Sequence, residues 1–166
     1  MTTRKKPSGN SQRRRARQRA LQCLYAIEIG ESTIDAILDD PIFPAQQSKS
    51  GREFVKLLLT QTVEHQEELD NYVQNQAKNW DINRLASTDR LLLRMAVCEL
   101  LYFPDISPKV TINEALEISK SFSTENSSRF INGILDGVLK ELVQTKKIFK
   151  AGRGAWEPKK DKKTTE

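Results

Sequence analysis

The sequence predicts an all-α protein, a compact bundle of about six or seven helices. Three observations carry this. Apolar residues recur at i, i+3, i+4 and i+7 through the long segments, and no segment sustains the period-two alternation of a strand. Seven Gly and six Pro are too few for a loop-rich β protein. One stretch, Leu91 to Leu101, is apolar nearly all round and belongs in the middle of a bundle. A chain of 166 residues is one domain's worth, long enough to bury a real core.

Residues 1–10 are rich in Lys, Ser, Thr and Gly and read as a disordered basic extension. The helical domain then spans 11–148. Its first helix starts near Ser11 and runs to about Ile29, with Gly30 as a natural stop. Pro41 and Pro44 mark a loop, with at most a short helix between Ser32 and Asp40. A long helix is expected from Ser50 to about Ala77, striped by Phe54, Leu57, Leu58, Gln61, His65, Leu69, Tyr72 and Val73. A short turn covers Ile82 to Leu85. Ser87 or Thr88 caps the apolar central helix, which reaches Tyr102. Ser107 is a candidate N-cap with Pro108 at the first helical position. That helix continues to about Ser121 and buries Ile112, Ala115, Leu116 and Phe122. Ser123 or Thr124 opens the last helix, whose buried face is Ile131, Ile134, Leu135, Val138 and Leu142. Residues 149–166 read as a disordered Lys-rich tail.

Charge is unevenly placed. Residues 1–19 sum to +8, residues 20–139 to −8 and residues 140–166 to +5. Basic ends on an acidic body suit a polyanion such as nucleic acid. Solvated tails give the same count, and for the C-terminal end both readings stay open.

The chemistry of catalysis is missing from the pattern. The sequence has no P-loop, dinucleotide fingerprint, nucleophile elbow or HExxH. His65 is the single histidine, which excludes a multi-histidine metal site, and it reads as a hydrogen-bonded, partly buried structural residue. Cys23 and Cys98 lie far apart in apolar runs and read as buried free thiols in a reducing cytosol. The expectation is a cytoplasmic protein with no enzyme activity, cofactor, metal, membrane span or secretory signal.

On the first helix, Ala16, Ala20, Cys23, Leu24 and Ile27 converge on an inward side. Arg14, Gln18 and Tyr25 fall opposite, with Arg15 and Gln22 beside them and Arg13 and Arg17 flanking. These arginines belong to a folded helix, whereas Arg4, Lys5 and Lys6 belong to the floppy lead-in. A guanidinium suits phosphate because its planar fork donates two parallel hydrogen bonds. A solvent-facing tyrosine can stack an unpaired base and glutamines can reach base edges, a combination that fits single-stranded RNA. Tyr25 could equally cover a neighbouring loop, and spacing alone leaves both open.

The runs RRRARQRALQCLYAIE (13–28), TDRLLLRMAVCELLY (88–102), KVTINEALEISKSF (109–122) and SRFINGILDGVL (128–139) resemble the NusB family of bacterial transcription antitermination factors. The INEA and FxNG elements, at 112–115 and 130–133, are the most specific. The resemblance implies two small helical subdomains. It implies binding of boxA, the single-stranded element of ribosomal RNA leader transcripts. It also implies a heterodimer with NusE, a small-ribosomal-subunit protein, inside an antitermination complex on RNA polymerase with other Nus factors. The family's RNA-contacting positions fall on Arg13, Arg14, Arg17 and Tyr25, and on Arg129 and Phe130 in the last helix. Phe130 near Gly133 and Gly137 also reads as the edge of a close helix packing. The NusE-facing positions fall on Asp89 and Asn126. The family often has Glu at the first and Asp at the second, so Asn126 loses a charge. Arg94 and Glu99 read instead as groups that orient structure inside the bundle.

Two other readings compete. One is a protein–protein adaptor without specific RNA binding. The other is the NusB-like domain of an rRNA cytosine methyltransferase, set aside because a Lys-rich tail, not a methyl-donor-binding domain, follows the last helix. Free proteins of this kind occur as monomers or homodimers, and a homodimer could hide the arginine surface.

Overall fold

The computed structural model describes residues 9–40, 48–122 and 125–158. These residues form seven α-helices and two short 3₁₀ turns, with no strand among the described residues. The expected lead-in cations Arg4, Lys5 and Lys6, the loop prolines Pro41 and Pro44, the caps Ser123 and Thr124, and the tail beyond 158 lie outside the described residues.

Helix α1 (Gly9–Glu28) is built from strong helix formers without an internal Gly or Pro. It ends where Gly30 takes a left-handed φ of +76°. There the Gly30 N–H donates to Ile27 O and the Glu31 N–H to Ala26 O, both at 3.1 Å, the paired bonds of a Schellman stop. Ala16, Ala20, Leu21, Cys23 and Leu24 are buried. Helix α2 (Ile34–Asp39) is capped by Thr33, whose hydroxyl accepts from the Ala36 N–H, and it buries no residue.

The expected long helix is two, α3 (Lys49–Glu64) and α4 (Gln66–Gln76), divided at His65. Thr62 Oγ1 donates back to Leu58 O at 2.7 Å just before the break, a bond that bends helices. The His65 ring stacks on Tyr102, with centroids 4.2 Å apart. Helix α3 buries Phe54, Val55, Leu58, Leu59 and Thr62, while Leu57, expected inside, is exposed. The break lets the chain cross between two helix groups. Helix α3 packs on α1, α2 and α5, whereas α4 packs on α5 and α7.

Helix α5 (Ser87–Tyr102) is the common core, touching α1, α3, α4, α6 and α7. It buries every residue from Leu91 to Leu100, including Arg94 and Glu99. No side chain caps its start, contrary to the expectation for Ser87 or Thr88. Helix α6 (Pro108–Phe122) begins as expected, with Ser107 Oγ accepting from the Val110 N–H. Its inward face is rotated, however. Thr111, Ala115, Ile118 and Ser119 are buried, Ile112 and Leu116 are half-buried, and Phe122 is 44% exposed. Small polar groups let α6 press close to its neighbours, and Ser119 Oγ meets Ser128 Oγ of the last helix at 2.7 Å. Helix α7 (Glu125–Gln144) buries the five residues its periodicity marks, Ile131, Ile134, Leu135, Val138 and Leu142.

The segment after α7 differs from the disordered tail expected there. Residues 148–158 fold back as a strap over the α5–α6 turn. The Ala151 N–H donates to Pro104 O at 2.9 Å. Lys150 Nζ donates to Glu99 O at 2.9 Å and Phe103 O at 2.8 Å, a second donor for carbonyls that already accept from the Phe103 and Ile106 N–H groups. Both cysteines are buried free thiols, and burial pushes Cys98 up to about 12. Among the described residues no helix is long and apolar enough to cross a membrane.

Candidate nucleic-acid interface

The arginines of α1 have three different fates. Arg13 is exposed, and its guanidinium lies 4.1 Å above the Phe54 ring of α3. Partial burial, and then Arg17 beside it, hold its pKa below the ordinary value. The cation remains exposed above an aromatic ring. Arg14 makes a two-pronged pair with Glu114, Nε to Oε2 at 2.8 Å and Nη2 to Oε1 at 3.0 Å. That hydrogen bond raises its pKa, and the Arg14 side chain stays 41% exposed. Glu114 is the acid of the INEA element, so the most specific motif in the sequence reaches across to the arginine helix.

Arg17 lies elsewhere than its spacing predicts. The helical wheel sets it at the flank of an outward surface, but the structure buries it to 2% exposure. Its Nε and Nη2 donate to Glu99 at 2.9 and 2.7 Å. On the wheel Arg17 falls between Leu24 and Leu21, and both are buried. The inward arc of α1 is wider than its small residues indicate, because α3, α5 and α6 all pack on it. Arg17 therefore orients α1 against α5 and offers no face to a ligand.

What α1 presents outward is a strip of exposed Arg15, Gln22 and Tyr25 with half-buried Arg14 and Gln18 along it. Tyr25 is 45% exposed and edges a groove of about 270 Å³ with Leu21, Thr88 and Phe122. Arg13 and Tyr25 thus stand towards opposite ends of one rigid helix.

Arg129 and Phe130 lie elsewhere, in a groove between α7 and the loop after α4. Arg129 is exposed and Phe130 half-buried, packed against the core on one side and open to the groove on the other. Both expectations for Phe130 describe part of it. The close packing belongs to Gly137, where a Cβ would sit 2.2 Å from Gln76 Oε1, whereas a Cβ at Gly133 would meet nothing within 4 Å.

The expected partner-facing pair is also split. Asn126 is exposed, but Asp89 is only 7% exposed and accepts from Ser127 Oγ at 3.0 Å. A carboxylate in the first turn of α5, pinned to the start of α7, is favoured there by the positive end of a helix dipole. Its charge faces the helix junction, not open solvent. Arg94 binds Asp70 inside the bundle, with Nη2 to Oδ2 at 2.9 Å, as its apolar surroundings lead one to expect. Sequence periodicity did not mark Trp80, which is 62% exposed beside Arg129 and Phe130. A lone aromatic between polar residues carries no periodic signal. No group of three His, Cys, Asp or Glu able to hold a metal occurs among the described residues.

Comparison with known proteins gives a consistent picture. The NusB family model matches residues 14–140. The chain is 39% identical over 145 residues to the transcription antitermination protein NusB of Salinibacter ruber, covering 87% of this chain and 91% of that protein. It is 44% identical over 133 residues to the protein of the same name from Elusimicrobium minutum, covering 78% and 94%. NusB of T. maritima superposes with a TM-score of 0.72 at 35% identity, over 82% of this chain and 93% of that one. A crystal structure described as antitermination factors NusB and NusE in complex with double-stranded RNA superposes with a TM-score of 0.66 at 25% identity, over 78% and 96%. A family match spanning α1 to most of α7, with relatives of this identity over most of both chains, means that the chain belongs to the NusB family.

Proposed function

We propose that the protein is an RNA-binding transcription antitermination factor that works as a scaffold, without catalysis. It binds boxA RNA as a single strand together with NusE and brings both into an antitermination complex on RNA polymerase. The observation that carries this reading is helix α1, where Arg15, Gln22 and Tyr25 form an exposed outward strip and Arg13 is exposed over Phe54 on another side of the same rigid helix. Cations fix phosphates, and an exposed tyrosine with neighbouring amides suits unpaired bases. The NusB–NusE–RNA neighbour supports the pairing of RNA with NusE. Its RNA is double-stranded, which makes strandedness the point to test.

The test is affinity for a boxA-like single strand, its duplex and a scrambled strand, each at several salt concentrations. The boxA single strand is expected to bind best, with log affinity falling linearly in log salt. Equal affinity for boxA and scrambled strands would refute sequence-specific binding. A stronger grip on the duplex would refute single-strand recognition.

One observation favours a second reading, a protein–protein adaptor. Glu114 and Glu99 already engage Arg14 and Arg17, so fewer cations face solvent than the sequence counts. That reading predicts no salt-dependent RNA binding.

A further inference from the structure

Residues 146–158, KKIFKAGRGAWEP, carry four cations and one acid, and the family match ends before them, at residue 140. From 148 they form the strap, which is pinned along its inner side. Ile148 packs against the core. The Lys150 amine reaches Glu99 O and Phe103 O. Gly154 lies so close to the α5–α6 turn that a Cβ would sit 2.2 Å from Pro104 O. Between Lys150 and Ala155 the chain makes a 3₁₀ turn, Gly152–Gly154. The Gly154 N–H donates to Ala151 O at 3.1 Å and the Ala155 N–H to Gly152 O at 3.2 Å. Gly152 has a left-handed φ of +60°, a conformation open to glycine.

These pins decide what the outer side of the strap shows. Ile148 and Lys150 turn inward, and Phe149 between them is 70% exposed. Arg153 sits between the two glycines of the closed turn. It is exposed and makes no ion pair or hydrogen bond among the described residues. A run of contacts sets this strap beside Arg13. The Arg13 guanidinium lies 4.1 Å above Phe54, Phe54 meets Phe103 edge-on with centroids 5.6 Å apart, and Phe103 O takes the Lys150 amine at 2.8 Å. Arg13 and Lys150 also feel the same two carboxylates, Glu99 and Asp105. Glu99 is buried in its pair with Arg17, and Asp105 is the exposed acid of the turn beneath the strap. The strap therefore continues the surface from the Arg13 end of α1, and Arg129 stands at the other end of α7.

We propose that the strap is a further contact for single-stranded RNA, in which Arg153 holds a phosphate and Phe149 stacks an unpaired base of a strand that runs past Arg13. A free guanidinium and an exposed ring on backbone that is already fixed offer a phosphate fork and a π-face at a small ordering cost. The proposal rests on the RNA-binding reading and extends it to a segment that the family match does not cover.

The chain contains two tryptophans, Trp80 and Trp156, and Trp156 belongs to the strap. In a Trp80→Phe background Trp156 is the sole indole, and its emission reports on the strap. Titration with the boxA-like single strand should change it, while titration with NusE alone should not. Phe149→Ala should weaken single-strand binding roughly 5- to 150-fold, the loss of one stacked base, and Phe149→Tyr should restore most of it. Arg153→Ala should weaken boxA and scrambled strands alike and flatten the salt dependence by about one unit, whereas Arg153→Lys should keep the parent slope. Both side chains are exposed, so both alanine variants should unfold in urea as the parent does. Parent affinity and parent salt slope in the variant carrying both Phe149→Ala and Arg153→Ala would overturn the strap contact and leave the α1 reading intact. Trp156 emission that responds to NusE in place of RNA would make the strap a protein contact and overturn it too. Failure of any RNA to bind the parent chain would remove both.

Discussion

At the residue scale, Arg17 shows how much depends on what faces a charge. Its side chain and that of Glu99 are 3% and 2% exposed. Removing one partner leaves the other charged and buried, so Arg17→Ala should cost about 3–5 kcal/mol in urea unfolding. Arg17→Met combined with Glu99→Leu should recover most of that loss, since apolar replacement of both partners removes the stranded charge. If Arg17→Ala unfolds like the parent, the pair is not structural. Arg13 should behave in the opposite way. Arg13→Ala should change stability by about 1 kcal/mol or less, the scale of an exposed cation–π contact. It should also flatten the salt dependence of RNA affinity by about one unit if Arg13 holds one phosphate. A parent-like salt slope would take Arg13 out of the interface.

Lys150 makes a prediction that depends on pH. Burial lowers it from 10.5 to about 8. The folded pKa lies below the unfolded one, so the unfolded chain holds more protons between those two values. Stability contributed by this group therefore rises as pH increases from about 8 towards 10.5. The neutral amine still has two N–H bonds for Glu99 O and Phe103 O. Unfolding free energies of the parent and Lys150→Met at pH 8, 9 and 10 should diverge in favour of the parent. Parallel lines would contradict the assignment.

At the element scale, the strap 148–158 depends on a close approach at Gly154. A Cβ there would lie 2.2 Å from Pro104 O. Gly154→Ala should lift the strap, and Lys150 should then titrate close to 10.5 in place of about 8 when its amine is followed by NMR. A titration that stays near 8 would show that the strap holds without this contact.

Periodicity located α1, α5, α6 and α7, and Gly30 and Pro108 set two of their ends. It fused α3 and α4 because His65 is on the stripe of both halves, and the His65 ring stacks on Tyr102, 37 residues away. It rotated α6 because Thr111 and Ser119 count as polar although they are small enough to be packed against. The strap escaped notice because it has no apolar period and is held by backbone bonds and one lysine. The helical setting of the arginines and the outward placement of Tyr25 could be read from the spacing of α1. The inward turn of Arg17 and of Asp89 could not, because each depends on a partner distant in sequence, Glu99 and Ser127.

At the scale of the whole molecule, α5 is the axis on which two helix groups meet. The α1 strip and the α7 groove are borne by different groups around that axis. Asn126 is exposed where the family often carries an acid, and Asp89 is already engaged by Ser127. The proposed contact with NusE should therefore depend weakly on salt, and its affinity should change little between low and moderate ionic strength. A steep salt dependence would mean that other charges carry it.

The central claim is that this chain is an RNA scaffold whose recognition is shared with NusE. Its most direct test is the affinity of the protein for boxA and for a scrambled strand, with and without saturating NusE, at one fixed salt concentration. The protein should prefer boxA, and NusE should strengthen that preference. Equal affinity for the two strands in both conditions would contradict it.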